Sequence, residues 1–109
     1  NQYAFAYTIT IHNESDFPVQ LLSRHWIITD ADNQVQEVRG DGVVGKQPII
    51  QPQESFRYSS GATLTTPVGC MEGSYFMVVR EPMEIDPQQL PTFQVPVPAF
   101  SLHTPMALN

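Results

Sequence analysis

Cysteine is nearly absent from this chain, which carries only Cys70. One thiol can neither close an internal disulfide nor supply a thiolate zinc cluster, so a reducing cytoplasm is the expected location. Bases are scarce too: 5 Lys and Arg stand against 11 Asp and Glu, for a net charge of -6. An acidic surface repels phosphate backbones and anionic headgroups, which excludes nucleic acid and membrane surfaces as expected partners. No apolar run approaches the ~18 residues of a membrane span, and the first residues hold no basic stretch followed by an apolar core. Neither membrane insertion nor a secretory leader is therefore expected. Helical periodicity is missing as well, since no segment repeats apolar residues at i, i+3, i+4 and i+7 over two turns.

What is present is apolar and turn-rich. Of 109 residues, 41% are hydrophobic and 15% charged, with 10 prolines and 6 glycines, which suits neither a disordered tail nor a helical bundle. The length predicts a single domain over 1–109. Tyr3 to His12 sets Tyr3, Phe5, Tyr7, Ile9 and Ile11 on one parity and small or polar residues on the other, the pattern of a half-buried strand. Val19 to Thr29 carries apolar residues on both parities and reads as a central strand covered on both faces. Gln34 to Arg39 reads as a short strand in which Val35 and Val38 are offset by an irregularity, and Glu54 to Ser60 and Ser74 to Arg80 as further strands. The glycines and threonines between Gly61 and Gly73 suit a long crossover, and Glu81 to Pro91 an acidic loop. In Thr92 to Leu102, Pro96 and Pro98 share parity and blank the same edge, which should lack a β partner. Six or seven short strands predict an all-β, two-sheet sandwich of the immunoglobulin or fibronectin type III kind.

Gly40-Asp41-Gly42-Val43-Val44-Gly45-Lys46 matches GxGxxG and nearly matches GxxxxGK[ST]. Both patterns need a helix directly behind them, but Gln47 stands where a magnesium-binding hydroxyl is required and Pro48-Ile49-Ile50 continues as extended chain. The segment reads either as a glycine turn or bulge, or as a shallow nest of N–H groups binding an anion with help from Arg39 and Lys46. Arg24-His25-Trp26 is the second candidate. Strand geometry places Arg24 and Trp26 on one face and His25 on the other, giving either a core tryptophan flanked by a stacked arginine and a hydrogen-bonded histidine, or a partner-binding hot spot. His12, His25 and His103 are too dispersed for an expected metal site, and no cofactor is expected. Cys70 reads as an inert, partly buried thiol. No motif activates a serine. Phe93, Val95, Val97 and Phe100 read as core or as a pairing surface.

Together FAYTITIHN, QLLSRHWIITDADN, GDGVVGKQPIIQPQESFRYSSGATLTTPVGCMEGSYFMV and the closing PVPAF resemble the ApaG family, small bacterial proteins built on a domain of unknown function. The resemblance covers nearly the whole chain and implies a fibronectin type III-like sandwich. It also implies one further N-terminal strand ahead of Asn1 to Phe5, outside this sequence, and a shorter turn than the one after Arg80. For function it implies an association with cobalt resistance and magnesium efflux, nucleotide or pyrophosphate binding at the glycine motif, or, as in related domains, protein recognition. It carries no catalytic residue to this chain. The expected function is that of a non-enzymatic protein-binding module, with a homodimer joined through β edges as one form of that contact. The alternative is weak phosphate, pyrophosphate or nucleotide binding by the 40–46 loop.

Overall fold

The computed structural model describes residues 1–104. The alternation of Tyr3–His12 becomes β1, which pairs antiparallel with β5 (Ser55–Leu64) in unbroken register from Tyr3 opposite Leu64 to His12 opposite Ser55. A second antiparallel sheet runs β3 (Val35–Asp41), β2 (Val19–Asp30), β6 (Val68–Val79) and β7 (Phe93–His103). The two-residue β4 (Ile49–Ile50) extends the β3 side of β2. The only helical feature among the described residues is a 3-10 turn at Pro87–Gln89. The result is the expected all-β sandwich of immunoglobulin and fibronectin type III character. Its core joins Phe5, Tyr58 and Leu64 of the small sheet to Leu21, Trp26, Ile28, Met71, Tyr75 and Leu102 of the large one. Trp26 is 2% exposed and meets Tyr7, Tyr75 and Phe100 edge-on, at ring-centroid distances of 6.0, 5.8 and 6.1 Å.

The stretch from Gly61 to Gly73 crosses between the two sheets as expected, but not as a long connection: β5 of the small sheet runs to Leu64, β6 of the large one starts at Val68, and only residues 65–67 join them. The glycines here are strand residues that permit close approach. A Cβ on Gly73 would collide with the His25 carbonyl oxygen, and one on Gly69 would stand 2.5 Å from Leu64 Cδ1. Val35 and Val38 belong to a regularly paired strand, and the irregularities lie instead at Leu21/Ser23 and Met71/Gly73. The first of these explains the mixed parity of β2. Leu21 and Leu22 are both buried because Leu22 is skipped in the pairing with β6, whereas Trp26, Ile28 and Asp30 then alternate with more exposed neighbours. Cys70 is exposed, not partly buried, because it lies on the outer face of β6. β7 pairs only with β6, as the prolines require.

Polar groups fix the connections. Asn13 donates to the carbonyls of Phe17 and Ile50 at 2.8 and 2.9 Å, tying the β1–β2 turn to β4. Asp30 Oδ1 accepts from the N–H groups of Asp32 and Gln34, both at 2.9 Å, closing the β2–β3 hairpin. Buried Arg80 donates to the carbonyls of Ile85 and Met83 at 2.6 and 2.9 Å and so organises the loop that leads to β7.

Candidate functional site

The glycine segment folds as strand and tight turn. Val43 N–H donates to Lys46 O at 2.8 Å and Lys46 N–H to Val43 O at 2.9 Å, enclosing Val44 (φ 45°) and Gly45 (φ 78°). Two successive positive φ values are the signature of a type I′ turn, which matches the twist of paired strands. Gly42 is also left-handed, at φ 62°, and a Cβ there would strike the Lys46 carbonyl. Its N–H donates to Leu22 O at 2.8 Å, continuing the β2–β3 register one step past Ser23 opposite Asp41, and Gln47 Nε2 donates to the same oxygen at 2.9 Å. The N–H groups of Gly42, Val43 and Lys46 are thus all committed to backbone carbonyls. Gln47, out of place in a phosphate loop, acts here as an anchor for the turn.

What the segment turns outward is carbonyl oxygen, and Arg24 takes it. Nη1 of Arg24 donates to Asp41 O at 3.0 Å and to Gly42 O at 2.8 Å. Gly40 lies directly opposite Arg24 in the β2–β3 register, and a Cβ on it would stand 2.9 Å from Nη2. The guanidinium therefore lies across the one position on β3 without a side chain. Two adjoining clefts open beside it, of about 260 and 230 Å³, sharing Tyr7, Arg24, Trp26 and Ser60. Tyr58, Asp41 and Val44 complete the first, between the glycine turn and β5. The Tyr58 hydroxyl is bonded to that of Tyr75 at 2.5 Å. Burial pushes the hydroxyl pKa of both tyrosines up, so neither ionises at neutral pH.

The Arg24-His25-Trp26 triplet divides as strand geometry requires. Trp26 enters the core, whereas His25 lies on the outer face beside Arg39, its register partner, and both approach Glu37 Oε1, at 3.1 Å from His25 and 4.0 Å from Arg39. Arg39, Gly40, Gly42, Gly45 and Lys46 consequently do not converge. Gly40 and Gly42 serve Arg24 and the turn, Gly45 sits at the turn's tip, Arg39 joins His25, and Lys46 is exposed. Among the described residues no three His, Cys, Asp or Glu side chains gather into a cation site.

Sequence reasoning missed the walls of the Arg24 cleft, Tyr7, Tyr58 and Ser60, which are brought there by a packing of sheets that no local pattern reports. It also missed an apolar cleft of about 250 Å³ between the far ends of the two sheets, lined by Ile11, Phe17, Met77, Val79, Phe93 and Val95. Val95, Val97 and Phe100 pack against the core, whereas Phe93 stays 40% exposed beside Phe17 at 49% and Val79 at 39%.

Residues 1–79 match the family model described as the ApaG domain. The chain belongs to the ApaG family. It is 53% identical to Protein ApaG of Dechloromonas aromatica over 109 residues, all of this chain and 80% of that relative. Protein ApaG of Thiobacillus denitrificans is 55% identical over the same length and the same share. The crystal structure of the putative ApaA protein from Bordetella pertussis superposes with a TM-score of 0.84 at 48% identity, over 95% of this chain and 78% of that one. The sandwich, its glycine turn and the Arg24 cleft are thus features of an ApaG domain. No helix among the described residues is long and apolar enough to cross a membrane.

Proposed function

We propose that this ApaG-family chain is a non-enzymatic binding module that works by contact with another protein. The observation that carries the reading is the apolar cleft at the end of the sandwich. Phe17, Val79 and Phe93 stand 49, 39 and 40% exposed around it. Three large apolar side chains gathered on a concave surface leave water unfavourably structured there, and covering them with a protein partner recovers that free energy. The glycine turn is not part of this machinery, because its inward N–H groups already serve the backbone. Any role in cobalt resistance or magnesium efflux is, on this reading, exerted through the partner and not through metal ligands of this chain.

The test replaces Phe93 with Asp, which sets a charge on the exposed start of β7 without opening the core. Sedimentation velocity of the wild type and of Phe93→Asp separates self-association from binding to a different protein, and affinity capture with both forms identifies the latter. Loss of the bound protein or of the dimer in Phe93→Asp, with the melting temperature kept, supports the reading. Identical capture and identical sedimentation by both forms would sink it.

A further inference from the structure

We infer that the cleft beside Arg24 is a carboxylate-binding site. Among the described residues Arg24 is the one cation that lines it, and it has donors to spare. Nη1 is spent on the carbonyls of Asp41 and Gly42, whereas Nη2 and Nε make no hydrogen bond within the described residues and are not sealed from the surface. The ion pairs among the described residues, His25–Glu37 and Arg39–Glu37, leave Arg24 without a carboxylate. A guanidinium fixed through one nitrogen keeps the opposite edge of its fork in a defined plane, which is the geometry that takes a carboxylate bidentately.

The walls supply the rest of such a site. Tyr58 and Tyr75 share one hydrogen bond between two hydroxyls, so the pair has one O–H proton left to donate, and Tyr58 lines the cleft. Tyr7 and Ser60 add two more hydroxyls that no other group among the described residues engages. At the rim stands Val44, which is β-branched and yet holds φ 45° while 50% exposed. Glycine or asparagine would occupy that position without strain, so the strained conformation is retained with its apolar side chain turned to solvent at the cleft's mouth. An aliphatic stem lying against Val44 and the tyrosines, with its acid group on Arg24, uses every one of these features.

Charge selects the class. Asp41 lines the same cleft, Arg24 is its only cation among the described residues, and the chain carries a net charge of -6. A singly charged carboxylate is matched by one guanidinium, whereas a phosphate or pyrophosphate brings charge that a single arginine beside an aspartate does not offset. The acid can come from a small molecule or from an Asp, Glu or chain terminus of a protein. The inference stands apart from the apolar cleft at the other end, which is lined by different residues.

The experiment follows the Arg24 Nε–H and the amides of Val44 and Gly45 in ¹H–¹⁵N spectra of the whole chain. Sodium butyrate, sodium acetate and inorganic phosphate are titrated separately at matched ionic strength, then an aspartate-containing tripeptide and its asparagine counterpart. Saturable shifts with butyrate, weaker with acetate and only non-saturating with phosphate, are expected, and they should vanish in Arg24→Gln. Should Arg24→Gln fail to fold, Val44→Asn must bring butyrate down to the affinity of acetate. The tripeptide arm separates a protein-borne acid, bound more tightly than butyrate, from a small-molecule one. Tighter binding of phosphate than of butyrate, or butyrate shifts no different from those of chloride, would overturn the inference.

Discussion

Arg24 and Gly40 face each other across β2 and β3, and the guanidinium of the first fills the space that a Cβ on the second would take, at 2.9 Å from Nη2. The three glycines of the motif therefore fail in different ways. Gly42→Ala combines a left-handed φ with collision against the backbone carbonyl of Lys46, which cannot rotate away. Gly40→Ala displaces a side chain and its two bonds to carbonyls, a loss of about 1–3 kcal/mol. Gly45→Ala meets open space and bears only the conformational cost of φ 78°, about 1 kcal/mol. Urea unfolding should rank them Gly42, Gly40, Gly45 in decreasing severity.

Val44 gives the opposite sign. Its φ of 45° at the tip of a type I′ turn suits asparagine, and half of its side chain is already in water, so little burial is lost on replacement. Val44→Asn should raise stability by about 0.5–1 kcal/mol, read as a higher urea midpoint at unchanged slope. An unchanged or lower midpoint would mean that the valine packs in a way its exposure hides.

The strands were legible wherever one face is buried and the other wet. Tyr3–His12 matches β1, and the parity of Pro96 and Pro98 foretold the open edge of β7. The segment from Gly61 to Gly73 was misread because glycine in a strand answers to a neighbour across the sheet, here the Thr29 carbonyl for Gly69 and the His25 carbonyl for Gly73, both on β2, and no local pattern names that neighbour. The candidate site was half legible for the same reason. Arg24 and the glycine motif stand out in the sequence, but their union depends on the β2–β3 register, which places Arg24 opposite Gly40 and is settled by packing.

Cys70 lies exposed on β6, so its replacement leaves no cavity. Cys70→Ser should change stability by no more than about 0.5 kcal/mol, and a maleimide should label the native chain to completion without shifting its melting temperature. Labelling that requires denaturant would show the thiol to be covered in solution.

The buried hydrogen bond between Tyr58 and Tyr75 makes stability fall in alkali. Burial raises the folded pKa of both hydroxyls above the unfolded value of 10.0. At pH values above that figure the unfolded chain has released protons that the folded chain still holds, so the unfolding free energy decreases as pH rises. Below pH ~9 the two states bind the same number of tyrosyl protons and these residues contribute no slope. Tyr58→Phe removes one of the titrating groups and leaves the Tyr75 hydroxyl without its bond. At neutral pH that variant should lose about 1–2 kcal/mol. Its decline in stability between roughly pH 9.5 and 11 should be shallower than that of the wild type, whose slope approaches about 1.4 kcal/mol per pH unit for each group whose unfolded form has ionised. Thermal melts of both chains across that interval check the sign, and parallel profiles would show that the pair does not govern the alkaline limb.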